Sequence, residues 1–273
     1  MRYLKEKIKQ FSPDFVGAIH EIRSKHAMRK HKLKPTPYGF KLAGHRDMQE
    51  GKFEPEETSL LKRYLEHVDV FVDVGANIGF FTCLSRSMNK KTIAIEPLKQ
   101  NLDYLFFNLD ANGWEDVEVF PLGLADKPGM ALLYGTDTGA SLIRKWAQYS
   151  ELAKRFIPLT TLDILLADRF AGNKLVIKID VEGAEYQVLR GATRTLDLSP
   201  SPVWLLEICL AEYHPDGINP HFSDVFKIFW SDGYQARTVE ENSKAVLQAD
   251  VERWIKNRSR EFGGINFLFE KEG

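Results

Sequence analysis

One short segment constrains the fold of this chain more than any other; it runs from Val70 to Thr82 and reads VFVDVGANIGFFT. Its apolar start predicts a buried strand, the glycines predict a tight turn, and the apolar spacing that follows predicts a helix. Asp73 stands at the carboxyl end of that strand, the edge at which open α/β sheets bind ligands. The segment therefore predicts a nucleotide-type ligand site at the end of a parallel sheet.

The spacing of the glycines argues against a dinucleotide site. Gly75 and Gly79 lack a Cβ and let the backbone approach a ligand closely. A dinucleotide fingerprint reads G-x-G-x-x-G, whereas Asn77 and Phe80 occupy its second and third glycine positions here. The turn thus favours a different nucleoside ligand over a nicotinamide cofactor.

Strand and helix patterns alternate along the chain, which predicts an α/β fold with a mainly parallel sheet. The predicted strands are 70–74, 92–95, 117–121, 175–179 and 203–208, with helices at about 99–112 and 184–190 between them. A final helix at 224–231 precedes an apolar run at 263–269. An insertion at 124–173 contains a predicted strand at 130–134 and a helical stretch around 147–155, and we expect it to form part of the substrate wall.

The first 53 residues are expected to form a helical and irregular extension. Residues 1–35 hold ten Lys or Arg against three Asp or Glu. Such an arm either exposes a solvated face or attracts an anionic substrate or lipid, which leaves peripheral membrane contact open. The solvated face is the more frequent outcome for a run of charges.

Net charge, cysteine content and the length of the apolar runs limit the class of protein to which this chain can belong. The net charge of the 273 residues is −1, so no global field attracts nucleic acid. Cys83 and Cys209 are the only cysteines and lie in apolar stretches, which fits two buried thiols in a reducing compartment. Neither a signal peptide nor a membrane-spanning run is visible. We expect a soluble, cytoplasmic protein that is a monomer or a homo-oligomer.

The glycine turn resembles the first motif of class I S-adenosylmethionine (SAM)-dependent methyltransferases, and its form DVGANIGF resembles the FkbM-like family of O-methyltransferases. The likeness continues upstream in Thr36–Phe40 and Gly51–Glu54. Downstream, Ile95-Glu96-Pro97 with Asn101, then Thr161-Leu162-Asp163, and then KIDVEGAE from Lys178 to Glu185 follow in the order typical of that family. The resemblance runs from about Thr36 to the C-terminus. It implies a Rossmann-like class I methyltransferase sheet, mainly parallel with an antiparallel last strand, helices on both faces, and a SAM-binding domain at 54–273.

The resemblance also implies where SAM binds. Glu96 ends the second strand and can accept the ribose hydroxyls, as an acid does in dinucleotide folds. Asp73 either binds the methionine ammonium or only stabilises the turn; the two roles are equally expected. The predicted cofactor residues are Asp73, Gly75, Ala76, Asn77, Gly79, Glu96, Pro97, Asn101, Gly123, Leu124 and Asp180.

Methyl transfer to an alcohol needs positioning and help with removal of a proton. The predicted catalytic residues are Asp180, Glu182, Lys178 and His214. In one mechanism Asp180 or His214 is the general base. In the other, Asp180, Glu182 and Glu207 hold a hard cation such as Mg²⁺ or Ca²⁺. The metal-free version with Asp180 as base is preferred by a small margin, and a further alternative is that Asp180 only orients the cofactor or caps the helix.

Several alternatives remain open at this point. Zinc is disfavoured because His221 is the only further His or Cys near His214. Trp146, Tyr149 and Phe156 either stack on a sugar ring or pack the insertion. The favoured function is a SAM-dependent O-methyltransferase acting on a sugar, glycan or related small natural product. The alternatives are a nicotinamide-dependent oxidoreductase and a non-catalytic nucleoside-binding module.

Overall fold

The computed structural model describes residues 33–136, 139–148 and 152–271. The predicted helical, basic N-terminal arm therefore lies almost wholly outside the described residues. The chain enters through two short paired strands, β1 (Lys34–Pro35) and β2 (Lys41–Leu42), and a five-residue helix, α1 (Arg46–Glu50). Helix α2 (Pro55–Leu65) has proline in its first turn, where the missing backbone N–H is not needed.

An eight-stranded sheet organises the described part of the chain. Its strands, in chain order, are β3 (Val70–Val74), β4 (Lys91–Ile95), β5 (Glu118–Phe120), β9 (Leu175–Ile179), β10 (Val203–Glu207), β11 (Gln235–Thr238), β12 (Ala245–Val246) and β13 (Asn266–Glu270). Their spatial order is β12-β11-β13-β10-β9-β3-β4-β5. Strands β5, β4, β3, β9 and β10 are parallel, whereas β13 is antiparallel to β10 and β11. The mainly parallel sheet with an antiparallel last strand is confirmed.

The order of strands changes direction between β3 and β9. The chain first proceeds outward from β3 to β4 and β5, and then returns to place β9 on the other side of β3. A crevice opens at such a switch point because the two neighbouring connections leave the sheet on opposite faces. The sequence segment at 70–82 begins on β3, so this order places its turn at the crevice.

Helices cover both faces of the sheet. One layer contains α2, α3 (Phe80–Ser87) and α4 (Lys99–Ala111). The other contains α5 (Leu162–Leu166), α6 (Glu185–Arg190), α7 (Thr193–Leu196), α8 (Phe222–Ser231) and α9 (Gln248–Asn257). Side chains of strand β3 pack against the helices on both faces of the sheet. Phe71 packs with the first layer, and Val70, Val72 and Val74 pack with the second. All five residues of β3 are buried, as expected for a parallel strand covered on both sides.

The insertion forms a small sheet of its own, in the order β6-β8-β7. These strands are β6 (Gly123–Leu124), β7 (Gly129–Tyr134) and β8 (Lys154–Thr160), and a 3₁₀ turn spans Trp146–Gln148. The helix predicted around 147–155 is wrong, because its described residues fall in the 3₁₀ turn, in a turn and bend at Leu152 and Ala153, and in β8. Leu133 and Ile157 face inward and pack with Leu98, whereas Phe156 points outward and is exposed. Helical and strand periods are hard to separate in so short a segment.

No helix in the described parts of the chain is long and apolar enough to cross a membrane. Cys83 and Cys209 are both buried and unbridged. The predicted pair of buried free thiols is therefore confirmed.

Candidate cofactor and active site

A cavity opens at the carboxyl ends of β3, β4 and β9, where the strand order switches. It holds about 630 Å³ when the open space at its mouth is included. Most of its wall comes from three turns, and the insertion closes one side. The lining residues are Val74, Gly75, Asn77, Ile95, Glu96, Pro97, Asn101, Leu122, Gly123, Leu124, Leu133, Ala140, Leu142, Ile157, Asp180, Val181, Glu182 and Ala184.

Gly75 is required by the neighbouring strand as well as by the cavity. Its φ is 86°, and a Cβ there would overlap the backbone carbonyl oxygen of Asp180. The missing side chain therefore lets the turn after β3 pack directly on the end of β9. The sequence predicted close approach to a ligand, whereas the structure shows close approach to the backbone that carries Asp180.

Glu96 is buried at the end of β4 and organises the turn after β3. Its two carboxylate oxygens accept the backbone N–H of Asn77 at 2.9 Å and of Leu98 at 2.7 Å. Burial raises the pKa of Glu96 to about 7, and the hydrogen bonds from Leu98, Asn77 and Asn101 oppose that rise. The carboxylate lines the cavity and is therefore available to hydroxyl donors of a ligand.

Asp73 does not line the cavity. It is only 1% exposed and its Oδ2 accepts a hydrogen bond from the Thr82 hydroxyl at 2.6 Å. Burial raises its pKa to about 6, although the charge of Lys178 opposes this shift. Of the two roles expected for Asp73, this contact corresponds to stabilisation of the turn.

The other predicted cofactor residues divide in the same way. Pro97, Asn101, Gly123 and Leu124 line the cavity. Ala76 and Gly79 do not; both belong to the turn that leads into α3.

Lys178 is a buried cation in β9. Its Nζ lies 2.8 Å from Asp180 Oδ2 and 3.4 Å from Glu57 Oε1, and its side chain is 3% exposed. Burial alone would lower its pKa, but the negative charges of Asp180, Glu57, Glu54 and Asp73 reverse the effect and raise the pKa well above the usual value. Lys178 is therefore a fixed positive charge that holds Asp180 and is itself set back from the cavity lining.

Carboxyl groups from three separate segments meet beside Asp180. One carboxylate oxygen each from Glu54, Asp180 and Glu207 lies within 4.8 Å of the other two. Burial raises the pKa of Glu54 to about 10 and that of Glu207 to about 9, and neighbouring carboxylates add to both shifts. The set differs from the three acids named from the sequence, since Glu54 takes the place of Glu182.

Glu182 is held by the insertion. Its backbone has a φ of 54°, its Oε2 accepts the Trp146 indole N–H at 2.6 Å, and its carbonyl oxygen accepts the Ser141 hydroxyl at 2.6 Å. Burial, followed by the charge of Asp180, raises the pKa of Glu182 to about 7. Glu182 lines the cavity in this fixed position next to Asp180.

Among the described residues of the insertion, no aromatic side chain lines the cavity. Trp146 is 1% exposed and covers Gly183, where a Cβ would lie 2.5 Å from its ring. It therefore packs the insertion and has no open face for a sugar. Phe156 is 72% exposed, on the outer face of the small sheet, and Tyr149 lies outside the described residues.

His214 packs against Trp146. It is buried, its ring lies edge-on to Trp146 with centroids 6.1 Å apart, and its Nδ1 accepts the backbone N–H of Asp216 at 3.2 Å. It is absent from the cavity lining. The neighbouring Tyr213 is 56% exposed and its carbonyl oxygen accepts the backbone N–H of Ala147. The structure thus brings Asp180, Glu182 and Lys178 together and leaves His214 in a packing position.

Sequence reasoning missed Glu54 and Glu57. Glu54 lies in the upstream segment Gly51–Glu54 that resembles the family, but nothing in the spacing of Glu54 or Glu57 relates them to β9, more than a hundred residues later. The left-handed φ of 40° at Glu54 and the buried position of Glu57 in the first turn of α2 are tertiary features. A polar residue on the buried side of an amphipathic helix was the one available signal.

The arrangement suits a polar reaction beside a nucleoside-sized cavity. Glu96 from the end of β4, and Asp180 and Glu182 from the loop after β9, each present a carboxyl group to the cavity. The apolar wall made by Leu122, Leu124 and Ile157 fits a flat base, since such pockets gain affinity from apolar burial.

Comparison with known proteins agrees with this geometry. Residues 73–236, more than half of the chain, match the Methyltransferase FkbM domain family. The chain is 32% identical over 146 residues to the hexuronic acid methyltransferase AglP of Haloferax volcanii, across 52% of this chain and 58% of that protein. It therefore spans less than two thirds of that relative's length.

Solved structures of low sequence identity also align. One is a precorrin-6y C5,15-methyltransferase from Geobacter metallireducens, with a TM-score of 0.44, 11% identity and coverage of 87% of this chain and 100% of that one. Another is a ribosomal protein L11 methylase from Lactobacillus delbrueckii subsp. bulgaricus, with a TM-score of 0.41, 11% identity and coverage of 80% and 78%.

The family match decides between methyl transfer and the nicotinamide-dependent alternative. It covers the end of β3 with the following turn, β4 with Glu96, and β9 with Asp180 and Glu182, the segments that build the cavity. The chain belongs to the Methyltransferase FkbM domain family, and its described residues form an α/β fold with a mainly parallel sheet.

Proposed function

We propose that this enzyme transfers a methyl group from SAM to a hydroxyl group of a sugar, glycan or related small natural product. The observation that carries the proposal is the composition of the cavity beside Asp180. Asp180 and Glu182 line it, and Glu54 and Glu207 lie next to Asp180. Carboxylates accept hydrogen bonds from hydroxyl groups and can take a hydroxyl proton.

The residues present fit SAM. When bound, SAM supplies an electrophilic methyl group for in-line displacement. Glu96 would accept ribose hydroxyls, and the backbone from Gly75 to Asn77 would face the methionine part. Leu122, Gly123 and Leu124 would lie against the adenine.

The chemistry of the acceptor end favours a hydroxyl over a carboxylate as the methylated group. The relative AglP is named as a hexuronic acid methyltransferase, and a hexuronic acid offers both groups. Asp180, Glu182, Glu54 and Glu207 all carry acidic side chains there, and Lys178 is already shared between Asp180 and Glu57. A further carboxylate placed among these buried acids would have to be ionised without a cation of its own, which burial disfavours.

Asp180 is the residue that we propose to receive the hydroxyl proton. It is the member of the carboxyl cluster that also lines the cavity, and Lys178 fixes its orientation. Glu182 is the alternative acceptor of the proton. Assistance by Mg²⁺ at this cluster is the second route to the same transfer, because a hard cation stabilises an alkoxide.

The first test is calorimetric titration of the purified protein with S-adenosylhomocysteine and, separately, with NAD⁺. We expect micromolar binding of the first and none of the second. Failure of folded protein to bind S-adenosylhomocysteine would remove SAM from this cavity.

The acceptor is tested with a methyl-labelled donor against neutral sugars, amino sugars and hexuronic acids. The product is then treated with mild base, which cleaves a methyl ester and leaves a methyl ether intact. We expect base-stable label. Base-labile label would mean that the acceptor group is a carboxylate and would overturn the hydroxyl assignment while leaving methyl transfer in place.

The cellular setting is part of the same proposal. Two buried, unbridged cysteines fit a reducing compartment such as the cytoplasm. The domain limits at 54–273, with an insertion at 124–173, and a monomeric or homo-oligomeric state stay predictions.

A further inference from the structure

We propose that Glu54, Asp180 and Glu207 form a binding site for one hard divalent cation at the acceptor end of the cavity. The inference deepens the proposed function, and any role of the cation in methyl transfer rests on that function. The three ligands reach the site from unconnected parts of the chain. Glu54 precedes α2, Asp180 follows β9, and Glu207 ends β10.

The spacing of the oxygens suits a single ion. One carboxylate oxygen from each residue lies within 4.8 Å of the other two. Opposite oxygen ligands of Ca²⁺ are roughly 4.6–5.2 Å apart and those of Mg²⁺ or a similar small ion about 4.0–4.2 Å. The three oxygens are therefore close enough together to contact one cation.

The pairing of β9 and β10 sets two of the ligands side by side. Leu206 pairs with Ile179 in the parallel register, so the next residues along, Glu207 and Asp180, leave the sheet together. Glu182 is not available in the same way because its Oε2 is taken by the Trp146 indole. The structure thus selects a ligand set that includes Glu54.

A buried, incompletely paired carboxylate next to the site is a separate observation that points to a cation. Glu57 is 2% exposed, and its Oε2 has no hydrogen-bond donor among the described residues. Its carboxyl group contacts that of Glu54, whose own Oε2 is also without a donor. Buried oxygens of this kind normally have partners, and a nearby cation with its bound water supplies them.

Lys178 supplies too little positive charge for this cluster. Its ammonium contacts Asp180 Oδ2 and Glu57 Oε1, which leaves Glu54 and Glu207 without a direct cationic contact among the described ion pairs. Carboxylate oxygens are hard ligands and select Mg²⁺, Mn²⁺ or Ca²⁺ over softer metals. An acceptor hydroxyl would complete the coordination of a cation held here.

The test is calorimetric titration of the chelator-treated full-length protein with MgCl₂, MnCl₂ and CaCl₂, without donor or acceptor. We expect one site with a Kd at or below roughly 10⁻³ M for at least one ion. Glu54→Gln and Glu207→Gln should each weaken it at least about tenfold, since each removes a charged ligand. The matched control is Glu56→Gln, which makes the same change at an exposed position two residues from Glu54 and should change affinity less than about twofold.

A wild-type protein that shows no binding up to about 10 mM of any ion overturns the site. So does equal binding by wild type, Glu54→Gln and Glu207→Gln. If these variants fail to fold, paramagnetic Mn²⁺ added to wild type should broaden the indole N–H signal of Trp146 before that of Trp254; uniform broadening counts against the site. These measurements involve no methyl transfer, so their failure is distinct from failure of the proposed function.

Discussion

At the scale of single residues, the site depends on carboxyl groups whose surroundings differ. Glu96 is satisfied by two backbone N–H groups, Asp73 by a hydroxyl, and Asp180 by an ammonium. The same functional group therefore has a different task in each place. The sequence correctly placed these acids at strand ends, but their partners became visible only in the fold.

The pH dependence of cofactor binding should follow Glu96. Its pKa of about 7 means that the ionised form, the better acceptor for ribose hydroxyls, is lost as the pH falls through 7. Affinity for S-adenosylhomocysteine should therefore decrease toward about tenfold per pH unit below 7 and level off above it. Calorimetry between about pH 5.5 and 8.5 measures this slope.

Two variants give the pH profile its control. Glu96→Gln should bind more weakly, by about 10-fold or more, and without the slope, because the amide does not titrate. Glu118→Gln changes a carboxylate that is paired with Lys91 and Arg169, outside the cavity lining, and should keep the wild-type profile. A slope that persists in Glu96→Gln would assign the titration to another group.

The Trp146 indole should matter for turnover more than for cofactor affinity. Trp146→Phe keeps an aromatic ring in the core but removes the N–H that holds Glu182 Oε2, together with part of the ring volume that packs over Gly183. We expect a lower kcat, a Kd for S-adenosylhomocysteine within about threefold of wild type, and a loss of about 1–3 kcal/mol in the free energy of unfolding. Calorimetry, chemical denaturation and labelled-methyl assays measure the three quantities.

Trp230→Phe provides the comparison for that variant. Trp230 is a half-buried residue of α8 that packs on Phe226, and it does not line the cavity. The same change there should leave kcat unchanged. An equal loss of kcat in both variants would contradict the assigned role of the Trp146 hydrogen bond.

At the scale of elements, the insertion and the loop after β9 behave as one unit. Ser141 and Trp146 bond to Glu182, Ala147 bonds to Tyr213, and Gly183 accommodates the Trp146 ring. Residues 139–148 thus hold the loop that carries the candidate catalytic acids Asp180 and Glu182. Substitutions in the insertion should therefore change the positions of these acids without altering β9 itself.

Gly183→Ala tests this contact. The residue has a φ of 95°, and a Cβ would lie 2.5 Å from Trp146 and 2.7 Å from Ile143. We expect a loss of about 2–4 kcal/mol in unfolding free energy, from backbone strain plus overpacking, and faster proteolysis within the insertion. Thermal denaturation and limited proteolysis provide the readouts.

Gly172→Ala separates the two contributions. Gly172 has a similar φ of 83° but open space where the Cβ would go. It should lose only the strain of about 1–2 kcal/mol and leave the insertion as resistant to protease as wild type. Equal effects of the two variants would mean that the clash with Trp146 is relieved without a further loss of unfolding free energy.

At the scale of the whole molecule, the antiparallel strand β13 ties the C-terminal part of the chain to the parallel sheet. It lies between β10 and β11, and its Phe267 and Phe269 pack against α8. Phe269 also stacks on Phe229 with ring centroids 3.9 Å apart. Strand β10, which carries Glu207, therefore depends on the last residues of the chain for one of its two neighbours.

Phe269→Ala should destabilise the fold as a whole. The side chain is fully buried, so its removal should cost about 3–5 kcal/mol in unfolding free energy through lost burial and a residual cavity. Phe156→Ala, at a 72% exposed position, should change it by less than about 0.5 kcal/mol. Urea denaturation compares them, and a small effect of Phe269→Ala would show that β13 contributes little to the core.

The sequence by itself determined the elements and their order. The antiparallel direction of the last strand was implied by the family resemblance. Apolar runs defined β3, β9 and β10 closely, and the alternation of strands and helices predicted the mainly parallel sheet. These features depend on short-range periodicity and backbone preference, which neighbouring residues specify. The glycine turn and the acids at strand ends likewise marked the edge where the cavity lies. The secondary structure of short ambiguous segments, such as 147–155, could not be predicted in this way, because tertiary pairing overrides weak local preference.

Which acids lie close together in space depends on the tertiary structure alone. Glu54 and Glu207 are more than 150 residues apart in the chain, yet both reach Asp180, because the switch in strand order places β9 next to both β3 and β10 while α2 packs across the sheet. The sequence left Asp73 between ligand contact and turn stabilisation and proposed Glu182 as a catalytic acid; in the fold Asp73 accepts the Thr82 hydroxyl and Glu182 accepts the Trp146 indole N–H. Side-chain proximity across a fold follows from sheet order and packing of distant elements, and no spacing along the chain encodes it.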